Sequence, residues 1–166
     1  QGRIRAAYRK IHMFDISLSD GTQLRESART LAGNQLTVTE LGFGKLGLSV
    51  CYDLRFPYLY QGLVDMGALA LAVPSAFTQT TGDAHWHVLL RARAIECQSY
   101  VLAPAQHGHN WGKRHSYGHS LIIDPWGKVV AECAEGDGVA VADVDPAVVE
   151  KVRRELPSLQ HRRSLE

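Results

Sequence analysis

An α/β sandwich with a mixed sheet is what the sequence predicts, on three observations. Apolar runs at 45–50, 68–73 and 100–105 have the length and lack of alternation of strands buried on both faces. Stretches with helical spacing, 58–66 and 83–98, separate them as in strand–helix–strand units. From residue 120 the rhythm changes to short apolar runs divided by Asp124-Pro-Trp-Gly127 and Glu135-Gly-Asp-Gly138, which reads as hairpins.

Residues 4–10 read as a strand leading to Lys10, and 15–35, rich in Ser, Gly and Asp, as an ordered loop holding Glu26. Strands at 37–41 and 45–50 flank the Gly42-Phe43-Gly44 turn, the second ending at Cys51. The helix over 58–66 stops at Gly67. The run 68–73 leads into Pro74-Ser-Ala-Phe77, and Asp83 is the expected cap of the helix that ends near Gln98. After the strand at 100–105 a polar loop covers 107–118. Strands follow at 120–123, 128–134 and 139–144, then a helix from Asp145-Pro146 to about Leu156. The basic tail from Pro157 is expected to pack on another subunit or on another part of the chain. With no internal repeat or linker, residues 1–166 are expected to form one domain.

With 166 residues and 45% hydrophobic content, the chain can bury a core of its own. A net charge of +1 without a basic run argues against nucleic acid as a partner. No apolar stretch approaches the roughly 20 residues of a membrane span, and a soluble, cytoplasmic protein is expected. Cys51, Cys97 and Cys133 are odd in number and lack the spacing of a disulfide framework or a zinc site, so reduced thiols are expected. The chain opens at Gln1, directly into motif-like sequence, which suggests a fragment of a longer protein.

The segment Gly47-Leu-Ser-Val-Cys-Tyr-Asp-Leu-Arg-Phe-Pro57 carries the chemistry. Cys51 stands where a strand passes into a helix, so its sulfur can sit at the mouth of the fold beside backbone N–H groups that hold an oxyanion. Nearby cations favour its reactive thiolate. Lys10, in YRKIH, reads either as an exposed strand-end lysine or as the cation that stabilises thiolate and intermediate. Glu26 reads as a solvated loop acid or as a group orienting Lys10 or a substrate amide. Asp53 reads as half of an ion pair holding the cysteine loop, with Arg55 its neighbour in the turn. Arg55 is also suited to a substrate carboxylate; Phe77 and His85 are further candidates for substrate contact. His85, His87, His107, His109, His115 and His119 show no H-E-x-x-H or acid-supported pair, so no metal site is expected.

YRKIHMFD, Glu26-Ser27, GLSVCYDLRFP, PSAF, HWHVLLRARAIE and YGHSLIIDPWG together resemble the nitrilase superfamily of carbon–nitrogen hydrolases through nearly the whole chain. The resemblance implies a four-layer α-β-β-α sandwich, a homodimer or larger homo-oligomer, a small-molecule amide substrate, and a Glu-Lys-Cys set without metal or organic cofactor. It places the nucleophile at Cys51, the intermediate-stabilising lysine at Lys10, the additional glutamate at Glu26 and an oxyanion N–H at Tyr52. It also implies a general-base glutamate on a strand before the lysine, a position that no residue here fills. The first part of the sandwich is thus expected to be absent, and these 166 residues alone to show little activity. Leu31-Ala32-Gly33 replaces a frequent Pro-Gly pair of the superfamily. Within it, AQHGHNWGKRHSYGHS and LPSLQHRR resemble the amidases that release 2-oxoglutarate from small amides. An inactive module retaining the fold is the competing expectation from another class.

Overall fold

The structure is a computed structural model that describes residues 2–17, 21, 23–112, 114–134 and 136–163. Three consecutive apolar strands form its centre: β4 (Gly44–Leu48), β5 (Ala68–Ala72) and β6 (Tyr100–Ala103) run parallel. Antiparallel strands complete the sheet on both sides. They are β3 (Thr37–Leu41) against β4, and β9 (Ser120–Ile123) then β10 (Val129–Cys133) beyond β6. The order β10-β9-β6-β5-β4-β3 is the mixed sheet expected.

Helices α1 (Pro57–Asp65) and α2 (Gln79–Cys97) return the chain between the parallel strands. Their apolar residues Leu59, Leu63, Trp86 and Leu90 pack with Leu71, Val101, Leu121 and Ile123, all essentially inaccessible to solvent. Leu46, Ala70, Tyr100 and Leu102 belong to a second cluster, packed with Val144, Val148 and Val149 at the start of helix α3 (Pro146–Glu155). The alternation of buried side chains along the central strands thus serves two clusters, as a sheet apolar on both faces requires. Of the four layers expected, the described residues supply the six-stranded sheet and the helices packed on it, with two small two-stranded sheets beside them.

Several boundaries differ from expectation. Residues 2–10 make no strand; their backbone is held by single contacts, such as Gly33 N–H to the Lys10 carbonyl at 2.7 Å, rather than by a ladder. Parts of the expected loop 15–35 pair as β1 (Asp15–Ser17) and β2 (Gln23–Arg25), followed by a short 3₁₀ turn at Glu26–Ala28; residues 18–20 and 22 lie outside the described set. The polar segment 107–118 is a hairpin, β7 (His107–Trp111) and β8 (Arg114–Tyr117), although it lacks apolar alternation. Polar cross-strand contacts hold it instead: the His109 and His115 rings lie 5.0 Å apart, and Asn110 Nδ2 donates to Ser116 Oγ at 2.7 Å. The expected strand at 139–144 is irregular, because Val139 and Val141 find no partner strand among the described residues and stay about 80% exposed. The tail packs on this chain itself, with Leu159 against the core and Arg162 paired with Asp65.

Helix α2 begins before Asp83. Thr78 is its cap, accepting from Thr81 N–H at 3.4 Å, and Asp83 lies in the helix. The early start places Gly82 against Tyr117, where an added Cβ would lie 2.2 Å from the tyrosine Cβ. Alanine is the better helix former by about 1 kcal/mol. Gly82→Ala should nonetheless lose about 1–3 kcal/mol, because the β7–β8 hairpin must move away. A urea melt giving wild-type or higher stability would contradict this.

Candidate functional site

A strained turn sets the nucleophile candidate. Val50 is extended, and Cys51 follows at φ 50° in the left-handed region before a 3₁₀ turn over Cys51–Arg55. A non-glycine residue held there stores about 1–3 kcal/mol and needs surrounding structure to hold it. That structure is present: Cys51 N–H donates to the Pro74 carbonyl at 3.0 Å, and Ser49 N–H to Ala72 at 3.1 Å. Buried Arg93 of α2 donates from Nε to the Leu54 carbonyl at 3.0 Å and lies over the Tyr60 ring. This gives the second arginine of RARAIE its purpose.

Asp53 is the second hub, fully buried. It accepts from Tyr8 Oη at 2.8 Å, His12 N–H at 3.0 Å and Val50 N–H at 2.9 Å, and lies 2.7 Å from His12 Nδ1. It does hold the cysteine loop, but its partners are Tyr8, His12 and Val50 and not Arg55. By this means Asp53 ties the segment carrying Lys10 to the turn carrying Cys51.

Lys10, Glu26 and Cys51 line one open cleft of about 1160 Å³. Lys10 Nζ is hydrogen-bonded to Glu26 Oε2, which also accepts Phe14 N–H at 2.7 Å. Gly33 packs against Arg9 so closely that a Cβ would lie 2.3 Å from its carbonyl oxygen, so the glycine of Leu31-Ala32-Gly33 is required. Burial pushes the Cys51 thiol above its ordinary value; the Ala76 backbone and the Lys10 charge pull it down, and Glu26 opposes them. At neutral pH the sulfur therefore rests as a thiol and needs a base to become a nucleophile.

The other candidates fall elsewhere. Tyr52 packs its ring between Phe14 and Phe56, while its N–H follows Cys51 and makes no hydrogen bond among the described residues. Arg55, Phe77 and His85 form a group of their own, off the cleft lining. The Arg55 guanidinium lies 5.4 Å from the Phe77 ring centre and 5.9 Å from that of Tyr52, and its Nη2 is 3.3 Å from His85 Nδ1. Sequence reasoning missed Tyr8, His12 and Arg93; the two-residue spacing of Tyr8, Lys10 and His12 was the available signal.

It also missed an acid-supported histidine pair. Glu132 Oε1 lies 2.8 Å from His119 Nδ1 and 3.1 Å from His87 Nε2, so β10 is tied to α2, and the three ligand-type atoms fall within 4.8 Å of one another. The hydrogen bond from His119, then that from His87, holds the Glu132 carboxyl below its usual 4.5. A carboxyl lowered by folding stabilises above its unfolded value and loses that contribution as the pH falls. Glu132→Gln should therefore lower the melting temperature more at pH 6 than at pH 3; an equal effect at both would refute the linkage.

The mixed sheet with its helix layer, and a cleft at the strand ends, are those of a nitrilase-type α/β fold. The carbon-nitrogen hydrolase family pattern matches residues 1–154, and the chain belongs to that family. It is 49% identical over 163 residues to deaminated glutathione amidase of Synechocystis sp., spanning 97% of this chain and 60% of that protein. Against the Homo sapiens deaminated glutathione amidase the figures are 49% identity, 98% and 50%. The chain thus spans about half to three-fifths of these curated relatives. Among solved structures, the C. elegans NitFhit protein superposes with a TM-score of 0.90 at 48% identity, over 96% of this chain and 39% of that one. Saccharomyces cerevisiae Nit3, a member of branch 10 of the nitrilase superfamily, gives 0.83 at 38%, over 94% and 54%. Among the described residues, no helix is long and apolar enough to cross a membrane.

Proposed function

We propose that residues 1–166 are part of a single catalytic domain of an amidase that acts through a cysteine thioester, with deaminated glutathione as its substrate. The observation that carries the reading is Cys51 in a strained turn, sharing a cleft with the hydrogen-bonded Lys10–Glu26 pair. A binding module has no physical use for a nucleophile, a cation and an orienting acid held together at this expense of strain. The identity to deaminated glutathione amidases over nearly the whole chain supports the substrate.

In this mechanism a carboxylate base takes the Cys51 proton, and the thiolate attacks the amide carbon to form the C–S bond. Lys10 Nζ and the Tyr52 N–H hold the oxyanion that develops. The C–N bond then breaks, the amine leaves with a proton, and water releases the acid from the thioester while the thiol is restored. Glu26 is occupied by Lys10 and Phe14 N–H and orients the lysine. The resemblance gives the base to a glutamate preceding Lys10. The products are 2-oxoglutarate and cysteinylglycine.

The experiment is product release from deaminated glutathione by the complete protein, with Cys51→Ala as the blank and 2-oxoglutaramate in parallel. Cys51-dependent release of 2-oxoglutarate from the first substrate is expected. Turnover of 2-oxoglutaramate alone would keep the mechanism and change the substrate, and silence on both would overturn the reading.

A further inference from the structure

We infer that His87, His119 and Glu132 form a zinc-binding site that clamps helix α2 to strands β9 and β10. The three residues come from three elements: α2, the turn just before β9, and β10. None of them lines the cleft of Cys51. His119 Nδ1 and His87 Nε2 lie 2.8 and 3.1 Å from the same carboxylate oxygen, Glu132 Oε1, and the three atoms fall within 4.8 Å of one another. Two N–H donors that served only as hydrogen bonds could take one oxygen each. Here both meet at Oε1, and no hydrogen bond to Oε2 is found among the described residues. Such convergence of two nitrogens and an oxygen is what a cation requires. In tetrahedral zinc sites with bonds of about 2.0–2.2 Å, neighbouring ligand atoms stand about 3.4 Å apart. A swing of the exposed Glu132 side chain by less than about 1 Å therefore admits the ion.

The chemistry of the set agrees. Two imidazoles and one carboxylate suit zinc, with water in the fourth position. On binding, the ring protons directed at Oε1 pass to the outer nitrogens, and neutral imidazoles ligate through the atoms that now face the carboxylate. No lysine or arginine holds the place of the ion, since the ion pairs of Glu132 among the described residues are with His87 and His119 alone. Asp83, one turn before His87 on α2, adds negative charge nearby. Both rings are also fixed in advance, as a ligand set needs. His119 sits at φ 59°, a region that non-glycine residues seldom adopt. Trp86 Nε1 donates to its carbonyl at 2.7 Å, and the Tyr117 ring stacks on its imidazole at 4.3 Å. The His87 ring stands edge-on to His119 and Tyr117 at 5.2 and 6.1 Å. Trp86 and His87 are adjacent on α2, so one turn of helix supplies a ligand and anchors the backbone of another. Glu132 is 45 residues from His87 and 13 from His119, which leaves no local spacing for a sequence motif to show.

The test uses the complete protein, freed of metal with EDTA and titrated with Zn²⁺ at neutral pH, beside His87→Ala and Glu132→Gln. Alanine suits the helix at position 87 and glutamine keeps the shape of the glutamate, so both variants should fold. Calorimetric titration should show one Zn²⁺ bound per wild-type chain. Loss of an outer partner of a metal ligand already costs about 10- to 100-fold in affinity, so loss of a ligand itself should cost at least about 100-fold in either variant. At a Zn²⁺ concentration of about 100 times the dissociation constant, the wild-type melting temperature should rise by about 3–8 °C, and that of the variants by less than about 1 °C. Co²⁺ in place of Zn²⁺ should give visible d–d absorption in the wild type that both variants lose. His109→Ala, which breaks the other close histidine pair, should bind Zn²⁺ as the wild type does. Absence of saturable binding in the wild type, binding that persists unchanged in His87→Ala and Glu132→Gln, or binding abolished by His109→Ala overturns the inference.

Discussion

Asp53→Ala should be the most destabilising single substitution outside the apolar core. It would strip the acceptor from Tyr8 Oη, His12 N–H and Val50 N–H together, at a site with no access to solvent. Each stranded donor costs about 1–3 kcal/mol, and removing one member of a buried charged network typically costs about 3–5 kcal/mol. Against a total stability of about 5–15 kcal/mol, that brings the fold close to its threshold. Asp53→Asn should retain part of the loss, since its oxygen can still accept while its amide nitrogen must face another donor. Urea midpoints decide the matter. A decrease below about 1 kcal/mol for the alanine variant would show that the hub is not the clamp between residues 8–12 and the cysteine turn.

Lys10→Ala should leave the fold intact and remove activity. The lysine is the cation nearest the thiol in effect: its charge lowers the Cys51 value, while Glu26, left behind, raises it. Two consequences add. The developing oxyanion loses a donor, for which about 10²–10³ in kcat is usual. The thiol also becomes harder to ionise, so the pH dependence of Cys51 alkylation should move to higher pH. Initial rates of the complete protein and the alkylation profile measure the two separately. A variant within threefold of wild type, with an unmoved profile, would remove Lys10 from the chemistry.

The central strands were legible because burial on both faces leaves an unbroken apolar run that turn residues punctuate. The helix α1 was legible from Pro57 and Gly67, which mark its ends chemically. The β7–β8 hairpin was not, since it is held by polar cross-strand contacts that leave no hydrophobic period. The opposite error occurred at 139–144, where Val139 and Val141 alternate like a strand but have no partner among the described residues. Local propensity proposes a strand; only a neighbour makes one. At the site, Cys51, Lys10 and Glu26 stood out as reactive types at motif positions, and the fold brings them to one cleft. Asp53's bonds to Tyr8 and His12 and the bond from Arg93 Nε to the Leu54 carbonyl were illegible, because each depends on contacts across dozens of residues. Arg55, Phe77 and His85 lie outside the cleft lining, with Arg55 against both of the others.

The resting state of Cys51 bears on how long the protein lasts. Peroxides attack thiolates, and a sulfur carried past the sulfenic stage is lost for good. A nucleophile kept permanently ionised would react with every oxidant that wanders into an open cleft. Burial pushes the Cys51 thiol above its ordinary value, which lowers the share of thiolate that an oxidant in the cleft can attack.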